Sequence, residues 1–209
     1  MSNFQTQILS IDDPNVIPLA LSALVSDELI VFPTDTLYGL AGRINDLSLQ
    51  KIYAAKQRPE EKAIPVLVGD LRQLDQLASF IKPEVIALMQ AYWPGPLTLV
   101  VPKKAGLPAS LSPYPGLAVR MPDHPFALSL LQQSGPLAVT SANISGEQNP
   151  STAKEVYAQL NGRVDLILDG GKHPGGKGST IIDCQGDKPL LLREGPIPFE
   201  DILKVWGLA

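Results

Sequence analysis

A chain of 209 residues with a formal net charge of -4, ample Leu, Ile, Val and Ala and a single cysteine, Cys184, is long enough for one large α/β domain. The acidic balance argues against a protein that coats nucleic acid indiscriminately, and one cysteine forms neither an internal disulfide nor a thiolate metal cage. No basic-then-apolar leader and no run of membrane-spanning length is present, so the expected setting is cytoplasmic, with no membrane partner.

Asp12-Asp13-Pro14 reads as a helix start with a capping carboxylate, and Val16 to Leu24 carries the helical apolar spacing that should follow. Leu29 to Phe32 is a short buried strand. Asp46 is placed to cap a second helix with Leu49, Ile52 and Tyr53 on one face, Lys56-Gln57-Arg58 at its exit and Pro59 as its stop. A strand at Ile64 to Val68, helical segments near 70–78 and 83–92, a stiff Trp93-Pro-Gly-Pro96 turn, and strands at Leu97 to Val101 and Leu117 to Pro122 follow. A helix over 124–133 precedes a strand at Leu137 to Thr140. Another, over 152–160, precedes strands at Asp165 to Leu168, Ser179 to Asp183 and Leu190 to Arg193, and a short helix from Phe199 comes last. Helices and strands alternate early and strands crowd together late, which favours a single α/β domain with a mixed sheet.

Two strands end in small polar residues, Leu137-Ala-Val-Thr-Ser-Ala-Asn-Ile-Ser-Gly146 and Leu29-Ile-Val-Phe-Pro-Thr-Asp-Thr-Leu-Tyr-Gly39. Side chains at the end of a buried strand are held rigidly while facing an open cleft. Ser141, Asn143, Ser145, Thr34 and Thr36 therefore point to one shared site for a polar ligand such as ATP or an amino acid. Lys56, Arg58 and Lys62, fixed by Pro59 and Pro65, either complement a helix C-terminus and stay solvated or surround a polyphosphate. Arg120 interrupts an apolar strand, sharing a face with Ala118 while Leu117 and Val119 face the other way. A buried guanidinium needs a partner, either Asp123 or another acid, or else an anionic ligand; Arg193 beside Glu194 poses the same question.

The run Gly171 to Lys177 matches the start of a phosphate-binding loop, but Gly178 stands where Ser or Thr is required and a strand follows instead of a helix. It reads instead as a glycine-rich loop that brings Lys177 or Ser179 to the cleft. His124 belongs to a helix start and His173 to an exposed loop, and neither has a spaced partner for a metal, so no protein metal site is expected. Cys184 reads as a packed thiol. No nucleophile motif or carboxylate pair stands out, so any catalysis here works by positioning and charge.

Seven segments, taken in order, resemble the YrdC-like family: Pro33-Thr-Asp-Thr-Leu-Tyr-Gly-Leu40, Lys56-x-Arg58-Pro59, Trp93-Pro-Gly-Pro-Leu-Thr98, Val119-Arg-Met-Pro-Asp-His-Pro125, Thr140-Ser-Ala-Asn-Ile-Ser-Gly146, Ser179-Thr-Ile-Ile-Asp183 and Leu192-Arg-Glu-Gly195. The resemblance, to the short single-domain form over residues 1–209, implies a twisted mixed sheet flanked by helices with a deep basic cavity. It also implies synthesis of threonylcarbamoyl-AMP from L-threonine, bicarbonate or CO2, and ATP, with release of pyrophosphate. Separate threonylcarbamoyl-transferase proteins would then modify adenosine 37 of tRNA. By the same resemblance Lys56, Arg58 and Lys62 serve the ATP phosphates, Asn143, Ser151 and Arg193 hold the nucleotide, and Thr34 (or Thr36), Arg120, Ser141 and Ser179 position threonine. Mg2+ would be carried mainly by the phosphates. The alternatives are a carbamoyl-handling relative of the same fold and an RNA-binding module, for which the acidic charge allows only weak RNA binding.

Overall fold

The computed structural model describes residues 5–172 and 177–208. In chain order its elements are β1 (Gln7–Ser10), α1 (Val16–Val25), β2 (Ile30–Pro33), β3 (Tyr38–Gly42), α2 (Asp46–Lys56), β4 (Val66–Leu67), α3 (Pro83–Tyr92), β5 (Leu97–Pro102) and β6 (Gly116–Arg120). They continue with α4 (Pro125–Ser134), β7 (Leu137–Ser141), α5 (Ala153–Leu160), β8 (Leu166–Asp169), β9 (Thr180–Asp183), β10 (Leu190–Arg193) and α6 (Phe199–Trp206). Among the described residues the strands form one mixed sheet, ordered β1-β8-β2-β3-β7-β4-β6-β5-β9-β10. β1 and β2 run parallel to β8, β4 to β6 and β5 to β9, whereas β2/β3, β3/β7, β4/β7, β5/β6 and β9/β10 are antiparallel.

Local chemistry explains most boundaries and corrects a few expectations. Asn45, not Asp46, caps α2, its side chain accepting from Ser48 N at 2.9 Å, and Asp46 sits in the first turn. Asp13 does not cap α1. Its carboxylate accepts from Asn15 N at 2.8 Å and shapes the turn ahead of a helix that begins at Val16. His124 does begin α4, accepting from Ala127 N with Pro125 in the first turn. The helical segment expected near 70–78 is a tighter 3-10 turn, Leu71–Gln76, capped by Asp70, and the strand expected over 64–68 pairs only at Val66–Leu67. Strands β1 and β3 went unread in the sequence. β3 contains two glycines and no alternation, yet lies buried mid-sheet, where a Cβ on Gly39 would meet Val139 Cγ1 at 2.7 Å.

Strand alternation sends side chains into two layers. Leu29 and Val31 join one core with Leu49 and Ile52 of α2, Leu88 of α3, Val156 of α5 and Ile202 of α6. Ile30 and Phe32 join the other with Val16 and Ala20 of α1 and Leu130 and Leu131 of α4. The second layer of helices covers only part of the sheet. Across β6, β5 and β9, Leu117, Val119, Leu97, Leu99 and Ile182 belong to the first core, while Ala118, Arg120, Thr98, Val100, Ile181 and Asp183 face a cavity. The site is therefore the uncovered end of one sheet face. No helix among the described residues is long and apolar enough to cross a membrane.

Candidate functional site

The cavity measures about 740 Å³, the volume of a small-molecule site, and Thr34, Arg58, Arg120, Ser141, Ser179 and Arg193 all line it. The two strand exits recognised in sequence thus meet, since Gly39 of β3 pairs with Ser141 of β7. Thr34 builds the turn between β2 and β3: its hydroxyl donates to Leu37 O at 2.7 Å and accepts from the amides of Thr36 and Leu37 at 3.2 Å each. Thr36 also lines the cavity, with its Oγ1 accepting from Arg120 Nη1 at 2.7 Å.

Arg120 is 5% exposed. It donates through Nε to Gly95 O at 2.9 Å, through Nη1 to Thr36, and through Nη2 to Asp35 in a short ion pair. The acid is Asp35, not the adjacent Asp123. Burial draws the guanidinium pKa down, Asp35 opposes this, and nearby Arg193 adds to the lowering. Among the described residues three of its five N–H groups are engaged, which leaves two for a ligand.

Arg193 reaches the same wall through a β-bulge. Leu191 pairs with Ile182, but Arg193 pairs with Ile181, so Leu192 is an extra residue. Regular alternation from Leu191 would have set Arg193 opposite Thr180, on the covered face; the bulge turns it to the cavity. Its Nε and Nη2 donate to Ser179 O at 3.0 and 2.9 Å, and Nη2 also to Ser179 Oγ at 3.1 Å. Arg58 donates from Nη2 to Ala63 O at 2.8 Å and from Nε to Lys62 O at 3.3 Å, leaving the rest of its fork toward the cavity. Burial lowers the pKa of both arginines.

The remaining expected residues stand behind or beside this wall. Lys56, 1% exposed, donates from Nζ to Ser141 O, to Asn143 O at 2.5 Å and to Asn143 Oδ1 at 3.2 Å. Those three oxygens occupy all three N–H groups of an ammonium. Asn143 spends its own Nδ2 on the carbonyls of Ile144 and Glu147. Lys56 and Asn143 therefore fasten the β7 exit to α2, where the Lys56 carbonyl in turn accepts from Ser145 N at 2.8 Å. Lys62 is exposed outside the cavity wall. Ser151 also lies outside it, donating through N and Oγ to Glu155 at 2.7 and 3.0 Å ahead of α5. Lys177 is exposed, and His173 lies outside the described residues. Asp35, Thr98 and Asp183 escaped the sequence reading. Thr98 was legible as the one polar position in Leu97-Thr-Leu-Val-Val101, and Asp35 gave no periodic signal at all.

The family model Sua5_yciO_yrdC, described as telomere recombination, matches residues 22–195. A Bacillus subtilis (strain 168) protein named threonylcarbamoyl-AMP synthase is 42% identical over 209 residues, covering 97% of this chain and 59% of its own length. The crystal structure of P. abyssi Sua5 complexed with L-threonine superposes with a TM-score of 0.91 at 37% identity, over 96% of this chain and 61% of that one. E. coli YciO follows with a TM-score of 0.84 at 28% identity, over 96% and 99%. The chain thus spans about three-fifths of the length of the curated synthase it matches.

Proposed function

This chain belongs to the Sua5/YciO/YrdC family, and on that premise we propose that it makes threonylcarbamoyl-adenylate from L-threonine, bicarbonate or CO2, and ATP, releasing pyrophosphate. The adenylate would serve N6-threonylcarbamoylation of adenosine 37 in tRNA through separate transferase proteins. The observation that carries this reading is the convergence of Arg58, Arg120 and Arg193 with the Thr34, Ser141 and Ser179 positions on one cavity.

Threonine's amine captures CO2 as a carbamate, and a carbamate oxygen then attacks the α-phosphorus as pyrophosphate leaves. Both reactants are anions. The work is neutralisation and alignment, for which no enzyme nucleophile is required. Cys184 is no candidate for one, because burial pushes its thiol up to about 12. Arg120, with two N–H groups to spare, takes the threonine carboxylate; Thr34, Ser141 and Ser179 orient the rest of the amino acid. Arg58 and Arg193 neutralise the nucleotide phosphates, and Lys62 and Ser151 would meet its outer parts at the rim. Lys56 and Asn143 act by holding Ser141 in place. Low-dielectric walls strengthen each of these interactions.

Among the described residues no three His, Cys, Asp or Glu side chains gather to hold a metal ion, and both oxygens of Asp183 in the cavity wall accept from Gln185. Mg2+ would arrive with the ATP phosphates.

Purified protein given L-threonine, bicarbonate, ATP and Mg2+ should release pyrophosphate only when threonine is present. Arg58→Ala should lower that turnover at least about 100-fold, as loss of a transition-state charge clamp does, while the far-ultraviolet circular dichroism stays unchanged. ATP turnover indifferent to threonine, or tight RNA binding with no turnover, would overturn the reading.

A further inference from the structure

Thr98 of β5 and Ser179, the residue just before the neighbouring parallel strand β9, form a pair of hydroxyls 2.6 Å apart, at 3% and 4% exposure. Both line the cavity. Two hydroxyls carry two protons, and their mutual hydrogen bond uses one. Ser179 Oγ also accepts from Arg193 Nη2 at 3.1 Å. If Ser179 donates to Thr98, the spare O–H lies on Thr98. If Thr98 donates, Ser179 Oγ accepts twice and its own O–H is freed.

An anion decides between these arrangements. With the donors Thr98 and Arg193 both pointing at Ser179 Oγ, the Ser179 O–H is polarised and becomes the stronger donor to an oxygen carrying negative charge. We propose that Thr98 is a positioning residue for the amino-acid end of the substrate: its hydroxyl donates to Ser179 Oγ and so turns the Ser179 O–H toward an anionic oxygen in the cavity. This rests on the reading above, in which Ser179 contacts threonine. Arg193 also grips Ser179 O through two N–H groups, which fixes the backbone of Ser179 beside Thr98.

The test compares Thr98→Val, which keeps the shape and removes the hydroxyl, with Thr98→Ser, which keeps the hydroxyl. Thr98→Val should raise the threonine KM about tenfold, the scale of one hydrogen bond to a charged group, and leave the KM for ATP unchanged. Thr98→Ser should stay close to wild type. In a double-mutant cycle, adding Thr98→Val to Ser179→Ala should cost nothing more, since the O–H to be aimed is already gone. Fully additive effects, or equal rises in both KM values, would overturn the proposal. Calorimetric titration with L-threonine separates the two levels. Wild-type protein that binds no threonine would remove the reading of the site along with this role. Threonine binding of equal strength in wild type and Thr98→Val would remove the role of Thr98 alone.

Discussion

Lys56 is an ammonium held almost without water, and that has a measurable consequence. Burial, reinforced by Arg58, brings its pKa down to about 7, whereas in an unfolded chain a lysine titrates near about 10.4. The folded value is the lower one, so between the two the unfolded chain carries one more proton than the folded chain. Stability contributed by this group must therefore rise with pH across that window, by about 1.4 kcal/mol per unit, and be flat below it, where both states are charged. Chemical denaturation of wild type and Lys56→Met from pH 6 to 10 should show a stability difference that shifts in favour of wild type as pH rises above about 7; parallel profiles would contradict the burial argument. At pH 6, where both states are charged, Lys56→Met should already be less stable by about 1–3 kcal/mol, because it strands the oxygens of Ser141 and Asn143 that accept from Lys56, and the gap should widen as pH rises. The sequence showed Lys56 only as a cation at a helix exit. It did not show that the side chain turns inward, because its partners lie 85 and 87 residues away in the chain. Arg120 was conspicuous for the opposite reason: a charge inside an apolar strand cannot be solvated, so a partner was demanded, though the neighbour in sequence, Asp123, proved to be the wrong one.

Among the elements, β9 and β10 show how site geometry depends on a backbone irregularity. Apolar runs and turn residues marked both strands in the sequence, but a bulge leaves no compositional trace, so the facing of Arg193 was not legible. The same is true of the close approach behind it. A Cβ on Gly195 would lie 2.2 Å from Thr180 N and 2.6 Å from Ser179 C, both backbone atoms, so the start of β9 would have to move. Gly195→Ala should cost about 1–3 kcal/mol in thermal or chemical unfolding, the usual range for overpacking. It should also weaken threonine binding, since Ser179 sits at the displaced point. Gly186→Ala is the matched comparison: its Cβ would meet only Lys188 O at 3.6 Å, and it should change stability by less than about 0.5 kcal/mol. Equal behaviour of the two variants would show that β9 yields freely and that Ser179 is not held by this contact. Strand β3 teaches a related lesson. Gly39 allows close packing against Val139, a need that exists only once β7 lies beside it, and Gly42 allows close packing against Leu29, Ser48 and Ile52.

For the whole molecule, the mixed sheet was readable from the order of helical and strand patterns, yet the position of the cavity was not. It arises because α1 and α4 cover one stretch of a sheet face and leave β6, β5 and β9 bare, a matter of how far two helices reach. The walls accordingly come from remote parts of the chain: Thr34 from the β2–β3 turn, Arg120 from β6, Ser141 from β7, Ser179 and Arg193 from the β9–β10 end. A ligand that touches all of them adds ties beyond the sheet itself and the Arg120 contacts to Thr36 and Asp35. L-Threonine at about 100 times its dissociation constant should then stabilise the fold by about 2.7 kcal/mol, which for a chain of this size is a rise of about 5–10 °C in melting temperature. D-Threonine cannot present carboxylate, ammonium and side chain to the same partners and should give no rise. Hydrogen exchange should slow together at the β2–β3 turn and along β9 and β10, because one molecule bridges both. Protection confined to either end, or a rise that D-threonine reproduces, would mean that the hydroxyls and guanidinium groups do not act as one site.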